Sequence, residues 1–524
     1  MMRLSSLLEA LPGSEAPPRS QRSGPSLDPT IRGVRIDSRS VSPGDLFVAL
    51  RGENSDGHAF LGDAIASGAA ALLVEDLPSE PSDLPIPCVR VSDTRRALAP
   101  IAARFFGQPA RELTLIGVTG TNGKTSTTYL IESILAHADQ RVGLVGTVEI
   151  RYDGCREDTV NTTPESLELQ RTLRAMRNHG IDAAVMEVSS HGLELGRVEG
   201  CAFRVAAFTN LSQDHLDFHG DMDTYLASKA RLFRDYLDAD AVAVINVDDP
   251  VAETLIEIAR GAGARILRVG RGAAAKADLR LVDHSIRLEG TQATLEDAEG
   301  TLEISSSLIG DFNLENLLVA TGVARGLGLP HDVIAEGIAS CPQVPGRMER
   351  VEGTGRSEPT VLVDYAHTPD AVDKLLRAVR PLCRGRLITV FGCGGDRDRT
   401  KRPLMARAVA KHADRAIATS DNPRTEDPSG ILEDVVSGLD GLENVAPQSL
   451  FDASGDAARY CVLVDRKEAI DLAILGASAD DTVVLAGKGH EDYQILGHRK
   501  FPFDDRREAR RALLSRGVAS GGVA

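Results

Sequence analysis

Residues 113–125 read Leu-Thr-Leu-Ile-Gly-Val-Thr-Gly-Thr-Asn-Gly-Lys-Thr, and this stretch decides the fold. The near-continuous apolar run over 113–119 is typical of a strand that is buried on both faces of a parallel sheet. A Gly-rich turn follows, and then a helix with Leu130 and Ile134 on its apolar face. The order of strand, Gly-rich turn and helix predicts an α/β domain with a phosphate-binding loop.

The loop Gly117–Thr125 has the residue types that phosphate binding needs. Its glycines let backbone N–H groups approach phosphates, the Lys124 ammonium would reach the β- and γ-phosphates, and the Thr125 hydroxyl would bind Mg²⁺. Its spacing differs from the common G-x-x-x-x-G-K-[ST] pattern, because the first motif position, counted back from Gly123, is Val118. ATP is favoured over GTP, since the chain has no Asn-Lys-x-Asp guanine signature. A Gly-rich turn without a ligand is the alternative interpretation.

The composition excludes some classes of function. The 524 residues include 76 acidic and 59 basic ones, so the net charge is −17. That negative field argues against nucleic-acid binding and against stable membrane association. The seven cysteines are scattered and form no Cys-x-x-Cys pair, which fits a reducing cytoplasm better than a disulfide framework. We read no secretory signal and no bilayer-length apolar run, and we expect a cytoplasmic, monomeric protein.

Changes of texture along the chain predict three domains, all of the α/β class. They are a small α/β domain over 1–108, a central parallel-sheet domain with the phosphate loop over 109–342, and a Rossmann-like domain over 343–524. Helical stretches separate the strands expected in the last two domains, and this alternation is typical of βαβ units. Those strands are residues 183–188, 205–208, 241–247, 360–363, 387–391, 416–419 and 482–486.

Polar or Gly-rich segments follow six of the predicted strands directly. They begin at Gly120, Glu187, Thr209, Asp364, Gly392 and Gly487. In open α/β sheets, ligands bind at the carboxyl edge of the parallel strands. Turn chemistry alone explains one such segment more easily than six, so we expect binding sites at these edges.

Glu187 and His215 are candidate metal ligands. A Mg²⁺ that bridges two phosphates needs a carboxylate besides the Thr125 hydroxyl, and Glu187 ends a predicted strand in the same domain. Each residue alone is more often an ordinary loop residue, but the neighbouring phosphate loop favours metal binding. Lys229 is, from its residue type alone, a solvated helix lysine.

Three arginines lie in positions suited to anions. Arg347 follows a Pro-Gly pair at the second domain boundary, whereas Arg397 and Arg424 lie in loops after predicted strands. The planar guanidinium matches carboxylates and phosphates with two parallel hydrogen bonds. A single surface arginine is common and indicates little. Three arginines in such loops of an acidic protein indicate anion binding more strongly.

Short motifs along nearly the whole chain carry a resemblance to a known family. They are Gly120–Thr125, Glu187–His191, Asn210–His215, Gly310–Asn316, Pro345–Arg347 and Asp364–His367. On these motifs the chain resembles the Mur ligase family, the ATP-dependent amide-bond-forming enzymes of peptidoglycan synthesis.

Further motifs resemble those members that add meso-2,6-diaminopimelate to the D-Glu of UDP-N-acetylmuramoyl-L-alanyl-D-glutamate. They are Asp37–Arg39, Asn161–Pro164, Gly394–Arg397, Asp421–Arg424 and Gly487–Glu491. In this family the Asp-Asn-Pro-Arg form goes with diaminopimelate, and lysine-adding relatives lack its arginine. Diaminopimelate has a second carboxylate where lysine has only an ammonium, and a bidentate arginine suits that difference.

The resemblance implies the roles of the site residues. Catalytic roles would fall to Lys124, Glu187, His215, Lys229 and Arg347. ATP would contact Gly117, Thr119, Gly120, Thr121, Asn122, Gly123, Lys124, Thr125, Ser126, Asn316, Arg347 and Asp364. UDP-N-acetylmuramoyl-dipeptide would contact Ile36, Ser38, Glu53, Asn54, Ser55, Asn161, Thr162, Thr163, Ser189 and Arg197. Diaminopimelate would contact Arg397, Asp421, Asn422, Pro423, Arg424, Gly487 and Glu491.

The resemblance also implies the metal ligands and the reaction. Mg²⁺ would be held by Thr125, Glu187, His215 and Lys229, the last carbamylated by CO₂ so that the cation becomes an anion. The γ-phosphoryl group of ATP would pass to the substrate carboxylate, and the amine would attack the acyl phosphate. Leu195 departs from the pattern, because some relatives have Gln there.

Two other functions are considered. A folylpolyglutamate synthetase-like ligase would share the loop and the chemistry, but Asp37–Arg39 and a full N-terminal domain argue against it. A nucleotide-sensing switch without chemistry would need the phosphate loop but not the cluster Asp421–Arg424.

Overall fold

The computed structural model describes residues 1–11, 22–23, 28–52, 55–78, 84–272, 277–353, 358–452 and 457–520, with the backbone alone at 22–23 and 517–520. The chain divides into two compact units. The first comprises Met1–Leu281, Leu295–Leu302 and Glu315–Gly337, and the second comprises Val282–Thr294, Glu303–Leu314 and Ile338–Ala524. The α/β fold class is confirmed, whereas the boundaries 1–108, 109–342 and 343–524 stay predictions.

The N-terminal part forms a small α/β sheet of five strands in the order β2-β7-β6-β5-β4. Its strands β4 to β7 run parallel, and β5 and β6 are buried along their whole length. The elements of this part are β1 (Met2–Arg3), α1 (Leu4–Leu8), β2 (Arg22–Ser23), β3 (Thr30–Ile31), β4 (Gly33–Arg35), β5 (Asp45–Val48), α2 (Leu61–Ala66), β6 (Ala71–Val74), β7 (Cys88–Arg90) and α3 (Thr94–Phe105).

The next part of the chain alternates strands and helices, as the sequence predicts. Its elements are β8 (Thr114–Thr119), α4 (Lys124–His137), β9 (Val142–Val145), β10 (Ile150–Tyr152), β11 (Cys155–Glu157), α5 (Ser166–Asn178), β12 (Ala183–Glu187), α6 (Ser190–Glu194), β13 (Phe203–Phe208), α7 (Leu216–His219), α8 (Met222–Asp235), β14 (Leu237–Asn246), α9 (Ala252–Gly261), β15 (Arg265–Gly270), β16 (Leu279–Arg287), β17 (Gly290–Asp297), β18 (Gly300–Ser306), α10 (Phe312–Gly326) and α11 (His331–Ala339).

The strands of this part form a sheet whose parallel strands have the order β9-β12-β8-β13-β14-β15-β16, so β8 lies inside the sheet and not at its edge. It is buried along its length except at Thr114, as the apolar run predicts. Glu187 at the end of β12 pairs with Val118, and Phe208 at the end of β13 pairs with Thr119. The loops that follow β8, β12 and β13 therefore meet at one edge of the sheet.

The last part of the chain forms a further, seven-stranded sheet in the order β19-β20-β25-β21-β22-β24-β23. Its core strands β20, β25, β21, β22 and β24 run parallel, so the loops after β21, β22 and β25 share one edge. The elements are β19 (Glu349–Val351), β20 (Thr360–Asp364), α12 (Pro369–Val379), β21 (Leu387–Phe391), α13 (Lys401–His412), β22 (Arg415–Ala418), α14 (Pro428–Val436), β23 (Glu443–Asn444), β24 (Arg459–Val462), α15 (Arg466–Gly476), β25 (Thr482–Ala486), β26 (Tyr493–Leu496), β27 (Arg499–Pro502) and α16 (Asp505–Ser520).

The strand predicted over 113–119 and the seven others expected in the two larger sheets are all present, within a few residues of their predicted bounds. The largest differences are at the starts of β13 and β14, which begin at Phe203 and Leu237. No helix in the part of the chain that the structure describes is both long and apolar enough to cross a membrane.

Candidate active-site clusters of the two units

The phosphate loop requires glycine at two positions. Gly120 has φ +149° and a Cβ there would lie 1.9 Å from Thr209 Oγ1, and Gly123 has φ +86° and a Cβ there would lie 2.1 Å from Asn316 Oδ1. Asn210 holds the loop between them, because its carbonyl accepts a hydrogen bond from Thr121 N at 2.8 Å. The backbone therefore follows a path that side chains would block, as phosphate loops do.

Helix α4 begins at the predicted lysine of this loop. Lys124 Nζ donates to the carbonyl oxygens of Gly120 at 3.0 Å and Thr121 at 2.9 Å, so the ammonium lies against the backbone of the phosphate loop. Thr125 follows in the first turn and is buried. The structure thus places the cation, the hydroxyl and the helix N-terminus together, which is the arrangement that binds phosphate anions.

Glu187 is joined to Thr125 directly. Its Oε1 accepts from Thr125 Oγ1 at 3.1 Å and from Thr147 N at 2.8 Å, and its Oε2 accepts from Thr147 Oγ1 at 3.0 Å. Sequence reasoning missed Thr147, which comes two residues after β9, the strand that pairs with β12. The polar residue lies after the strand next to β12, so it could be found only once the order of the strands is known.

Thr125 and Glu187 fit Mg²⁺ in their chemistry. A hydroxyl and a carboxylate are hard oxygen ligands, and Mg²⁺ usually takes one or two carboxylates together with phosphates and waters. His215 has φ +53° and is half exposed, and its ring lies 4.8 Å from the His191 ring. Burial, the largest cause, lowers the pKa of His215. Among the described residues, no group of three or more His, Cys, Asp or Glu could hold a metal.

Lys229 is buried, so the interpretation from residue type alone, a solvated helix lysine, is wrong. Its side chain lies in α8 with 1% of its area exposed, and its Nζ donates to Gly120 O at 2.8 Å. The Nζ also lies 4.3 Å from the centre of the Tyr225 ring. Burial, and next the positive charge of Lys124, hold the pKa of Lys229 well below its usual range.

The structure brings together four of the residues predicted for the UDP-linked peptide. Thr163 Oγ1 donates to Glu187 O at 3.0 Å and lies 3.1 Å from Ser189 Oγ, and Arg197 Nη1 donates to Thr163 O at 3.1 Å. Thr162 Oγ1 lies 3.0 Å from Thr147 Oγ1, beside Glu187. The peptide candidates are thus continuous with the carboxylate that Thr125 contacts.

The other candidates for the UDP-linked peptide do not belong to this hydrogen-bonded group. Ser38 begins a short 3₁₀ turn that Asp37 caps by accepting from Arg39 N. Ile36 and Asn161 are half-buried, whereas Ser55 is exposed. Glu53 and Asn54 lie outside the described residues.

Two nucleotide candidates of the second unit are neighbours. Asp364 at the end of β20 accepts from Met348 N at 2.7 Å and from Ala366 N at 2.8 Å. Burial raises the pKa of Asp364, against the lowering effect of Arg347. The Arg347 guanidinium lies 4.8 Å from the centre of the Tyr365 ring.

The residues predicted for diaminopimelate meet where the loops after β21, β22 and β25 share an edge. Asn422 Nδ2 donates to Glu491 Oε2 at 2.9 Å, and Arg424 Nη1 donates to Gly395 O at 2.8 Å. A Cβ at Gly487, where φ is +118°, would lie 3.3 Å from Asp421 Oδ2. Arg397 is exposed and donates to Asp396 O at 3.2 Å. Pro423 is buried between Asn422 and Arg424.

Sequence reasoning missed two features of this cluster. Lys488 is completely buried, and its Nζ lies within hydrogen-bond distance of Asp421, Asn422 and Glu491. The β26–β27 hairpin pairs with the loop after β22, because Arg424 N donates to Ile495 O at 3.1 Å and Gly497 N donates to Arg424 O at 2.7 Å. Lys488 has a local signal, since it follows β25 within the motif Gly487–Glu491, whereas the hairpin contact has none.

A phosphate loop on one parallel sheet and a charged cluster at the carboxyl edge of another define the class of phosphate-loop α/β enzymes. Three family models match the chain: the Mur ligase family catalytic domain over 30–106, the Mur ligase middle domain over 118–324, and the Mur ligase glutamate ligase domain over 346–489. The chain belongs to the Mur ligase family, and the resemblance read from its motifs is confirmed.

Individual proteins of known name are similar to the chain over most of its length. The chain is 47% identical to UDP-N-acetylmuramoyl-L-alanyl-D-glutamate–2,6-diaminopimelate ligase of Synechococcus elongatus, over 98% of this chain and 99% of the relative. A solved structure of a ligase with the same name is 36% identical, covers 92% of this chain and 94% of its own, and has a TM-score of 0.66. A folylpolyglutamate synthase from Mycobacterium tuberculosis shares the fold at 21% identity, with a TM-score of 0.59 over 75% of this chain and 92% of its own.

Proposed function

We propose that the chain is an ATP-dependent ligase that joins meso-2,6-diaminopimelate to the D-Glu of UDP-N-acetylmuramoyl-L-alanyl-D-glutamate, a step of peptidoglycan synthesis. The observation that carries this proposal is the cluster of Asp421, Asn422, Arg424 and Glu491 at one sheet edge. The 47% identity to a diaminopimelate ligase over nearly the whole chain supports it. All seven cysteines are free thiols, which suits a reducing compartment, and we infer that the reaction takes place in the cytoplasm.

The phosphate loop would hold ATP in this proposal. Backbone N–H groups of Gly120–Thr125 and the Lys124 ammonium would face the phosphates, with Asn316 beside Gly123. The folylpolyglutamate synthase that shares the fold was solved with ADP and an ATP analogue, which supports nucleotide binding on this scaffold. Arg347 and Asp364 are the nucleotide contacts that we infer for the second unit.

Mg²⁺ would be held by Thr125 and Glu187, with His215 and carbamylated Lys229 as the further ligands. Bound there, the ion would neutralise phosphate charge. Carbamylation needs a neutral amine as the nucleophile toward CO₂, and the lowered pKa of Lys229 favours that form. Thr147, with two hydrogen bonds to Glu187, would hold the carboxylate in position.

The reaction needs an activated carboxylate, because the oxygen of a carboxylate is a poor leaving group. The D-Glu γ-carboxylate would attack the γ-phosphorus of ATP, an acyl phosphate would form, and ADP would leave. The diaminopimelate amine would then attack the acyl carbon, and phosphate and a proton would depart from the tetrahedral intermediate. Thr163, Ser189 and Arg197 would orient the UDP-linked peptide. Both steps bring anions together, so the main contribution of the protein is electrostatic positioning.

Phosphate release from ATP with UDP-N-acetylmuramoyl-L-alanyl-D-glutamate tests the function. Turnover is expected with meso-diaminopimelate and not with L-lysine. Turnover with lysine alone would overturn the specificity, and no turnover with either amino acid would favour a nucleotide switch. Turnover with a folate and glutamate instead would favour the folylpolyglutamate alternative.

Arg424 offers a sharper test of the amino-acid site. Its Nη1 contacts Gly395 O and Asn422 O, and a guanidinium has five N–H donors, so it has further donors for a carboxylate. We expect Arg424→Ala to raise the Michaelis constant for diaminopimelate about 10–100-fold, as for a lost charged hydrogen bond. The matched control is Arg399→Ala, which removes an exposed arginine paired with Asp434. An unchanged Michaelis constant for Arg424→Ala refutes its role.

A further inference from the structure

Lys488 is the most deeply buried charged side chain of the diaminopimelate cluster. None of its side-chain area is exposed. Its Nζ donates to Glu491 Oε2 at 2.9 Å and to Asn422 Oδ1 at 3.3 Å, and it lies 3.5 Å from Asp421 Oδ1. The three acceptors belong to two different loops, one after β22 and one after β25. A single ammonium therefore joins the loops that would form the amino-acid site.

The Lys488 contacts also orient the groups that would face the substrate. Asn422 Oδ1 accepts from Lys488 and from Ile495 N, so the Asn422 amide nitrogen points to Glu491 Oε2. Glu491 Oε2 thus accepts from both Asn422 and Lys488. Such a hydrogen-bond network restrains the Glu491 carboxylate and the Asn422 amide.

Lys488 adds one positive charge to a cluster of acidic and basic side chains. Asp421 and Glu491 are its carboxylates, whereas Lys488, Arg424 and the exposed Arg397 are its cations. The far end of diaminopimelate is a zwitterion with no net charge, whereas the far end of lysine is a cation. Without Lys488 the same cluster would be one charge more negative, which would favour the cation of lysine over a zwitterion.

We propose that Lys488 is a positioning and specificity-determining residue for the amino-acid substrate: its ammonium holds Asn422 and Glu491 in place and cancels carboxylate charge that would otherwise favour lysine. This inference rests on the proposed function, because it assumes that diaminopimelate occupies this cluster. Arg424 selects for the second carboxylate, and Lys488 selects against a lone cation. Lys488 would weaken the attraction of the cluster for lysine, the competing amino acid. Arg424 alone does not provide this form of specificity.

The test compares Lys488→Met and Lys488→Gln with wild type in the phosphate-release assay, using diaminopimelate and lysine in parallel. We expect both variants to raise the Michaelis constant for diaminopimelate with a smaller change of kcat. The ratio of kcat/KM for diaminopimelate to kcat/KM for lysine should fall at least about 10-fold, since the change of one charge in a partly dry site is worth that much or more. An unchanged ratio overturns the proposal.

Arg415→Met is the matched control for loss of a buried cation. Arg415 lies at the opposite end of β22 from the cluster, and it bonds only to backbone carbonyls among the described residues. We expect this variant to lose stability and to keep the ratio between the two amino acids. A fall of the ratio in Arg415→Met as large as in Lys488→Met would show that any loss of packing relaxes the specificity, and would overturn the assignment to Lys488.

A competition experiment on the wild-type enzyme needs no variant that could fail to fold. Lysine, with a cationic far end, and 2-aminopimelate, with an anionic far end, should each inhibit at least about 10-fold more weakly than diaminopimelate binds. Inhibition by lysine as tight as diaminopimelate binding contradicts the proposed selection against a lone cation. If wild type turns over no diaminopimelate at all, the proposed function fails; if it does and the ratio is unmoved in the variants, only the role of Lys488 fails.

Discussion

Lys229 in the first unit and Lys488 in the second are both almost completely buried, but their surroundings are opposite in charge. The Lys229 ammonium contacts a backbone carbonyl and an aromatic face. Among charged groups, the cation of Lys124 has the largest effect on the pKa of Lys229 and lowers it, and Asp214 opposes that effect. The Lys488 ammonium meets two carboxylates and an amide oxygen. Each lysine lies beside the loops that would bind a substrate.

The comparison teaches that burial alone does not decide what a lysine does. Burial disfavours the charged form, and a second cation adds to that effect, whereas carboxylates oppose it. Lys229 is therefore suited to act as a neutral amine that reacts with CO₂. Lys488 is suited to act as a fixed partner for anions. The predictions that follow are ordered by the expected size of the effect.

Replacement of each lysine by methionine should affect stability in different ways. Lys488→Met leaves the buried Asp421 and the partly buried Glu491 without their cation, and removal of one partner from a buried pair costs about 3–5 kcal/mol. Lys229→Met removes no carboxylate partner, and we expect a change of about 1 kcal/mol or less, the net worth of one hydrogen bond. Hydrogen exchange of the backbone amides of β22 and β25, and of β8, reads the local free energy of opening in each unit. Equal losses of stability in both variants would contradict the difference that we infer between the surroundings of the two lysines.

Incubation with ¹³CO₂ should label one lysine and not the other. We expect a carbamate signal in wild type and in Lys488→Gln, and none in Lys229→Arg, because the lowered pKa of Lys229 favours the neutral amine that reacts with CO₂. Lys229→Arg should also lose about 100-fold or more in kcat, the scale for removal of one electrostatic group from a reacting centre. Lys467, exposed in α15, provides the control variant Lys467→Arg. A carbamate that survives Lys229→Arg contradicts the assignment.

Much of the fold and part of the site could be predicted from local sequence. The strand, Gly-rich loop and helix around Gly120 and Lys124 are contiguous in the chain, so their geometry follows from local preferences. The meeting of Glu187 with Thr125 follows from one further rule, that the carboxyl ends of neighbouring parallel strands share an edge. The prediction of ligand sites at these edges rested on the same rule.

The burial of Lys229 was missed although the sequence holds a signal for it. Tyr225, Leu232 and Phe233 lie four residues before and three and four residues after it, so the helical period places Lys229 on the buried face of α8. A lysine side chain is usually exposed to solvent, so the residue type of Lys229 and its position on the helix predict opposite exposures. Positions where a charged residue interrupts an apolar face are where function overrides ordinary burial.

Other parts of the site could not be read from the chain, because they depend on contacts between distant segments. Gln494 Nε2 donates to Asp421 O at 2.6 Å across 73 residues, and no periodicity or motif predicts this pairing of the hairpin with the loop after β22. The hydrogen bonds from Thr147 to Glu187 likewise span 40 residues. Such contacts need the register of the sheet, which the sequence pattern does not determine.

His490 extends the comparison to a third basic group, which lies two residues after Lys488 but among cations. It is largely buried, and burial, and then the charge of Arg347, lower its pKa to about 3. The unfolded chain binds a proton at His490 below a pH near 6.5, whereas the folded chain does not do so until a pH of about 3. Folding stability should therefore fall as the pH falls from 6.5, by about 1 kcal/mol at pH 5.5.

The His490→Asn variant should remove that part of the acid sensitivity, because asparagine takes up no proton in this range. Chemical unfolding at pH 7.5 and at pH 5.5 gives the difference in stability for wild type and variant, and the exposed His498 supplies the control His498→Asn. We expect the pH difference to shrink in His490→Asn and to persist in His498→Asn. If His490→Asn loses as much stability as wild type between the two pH values, His490 is protonated in the folded chain, and cationic surroundings do not determine the charge of a buried base here. The contrast between Lys229 and Lys488 would then need another cause than their charged neighbours.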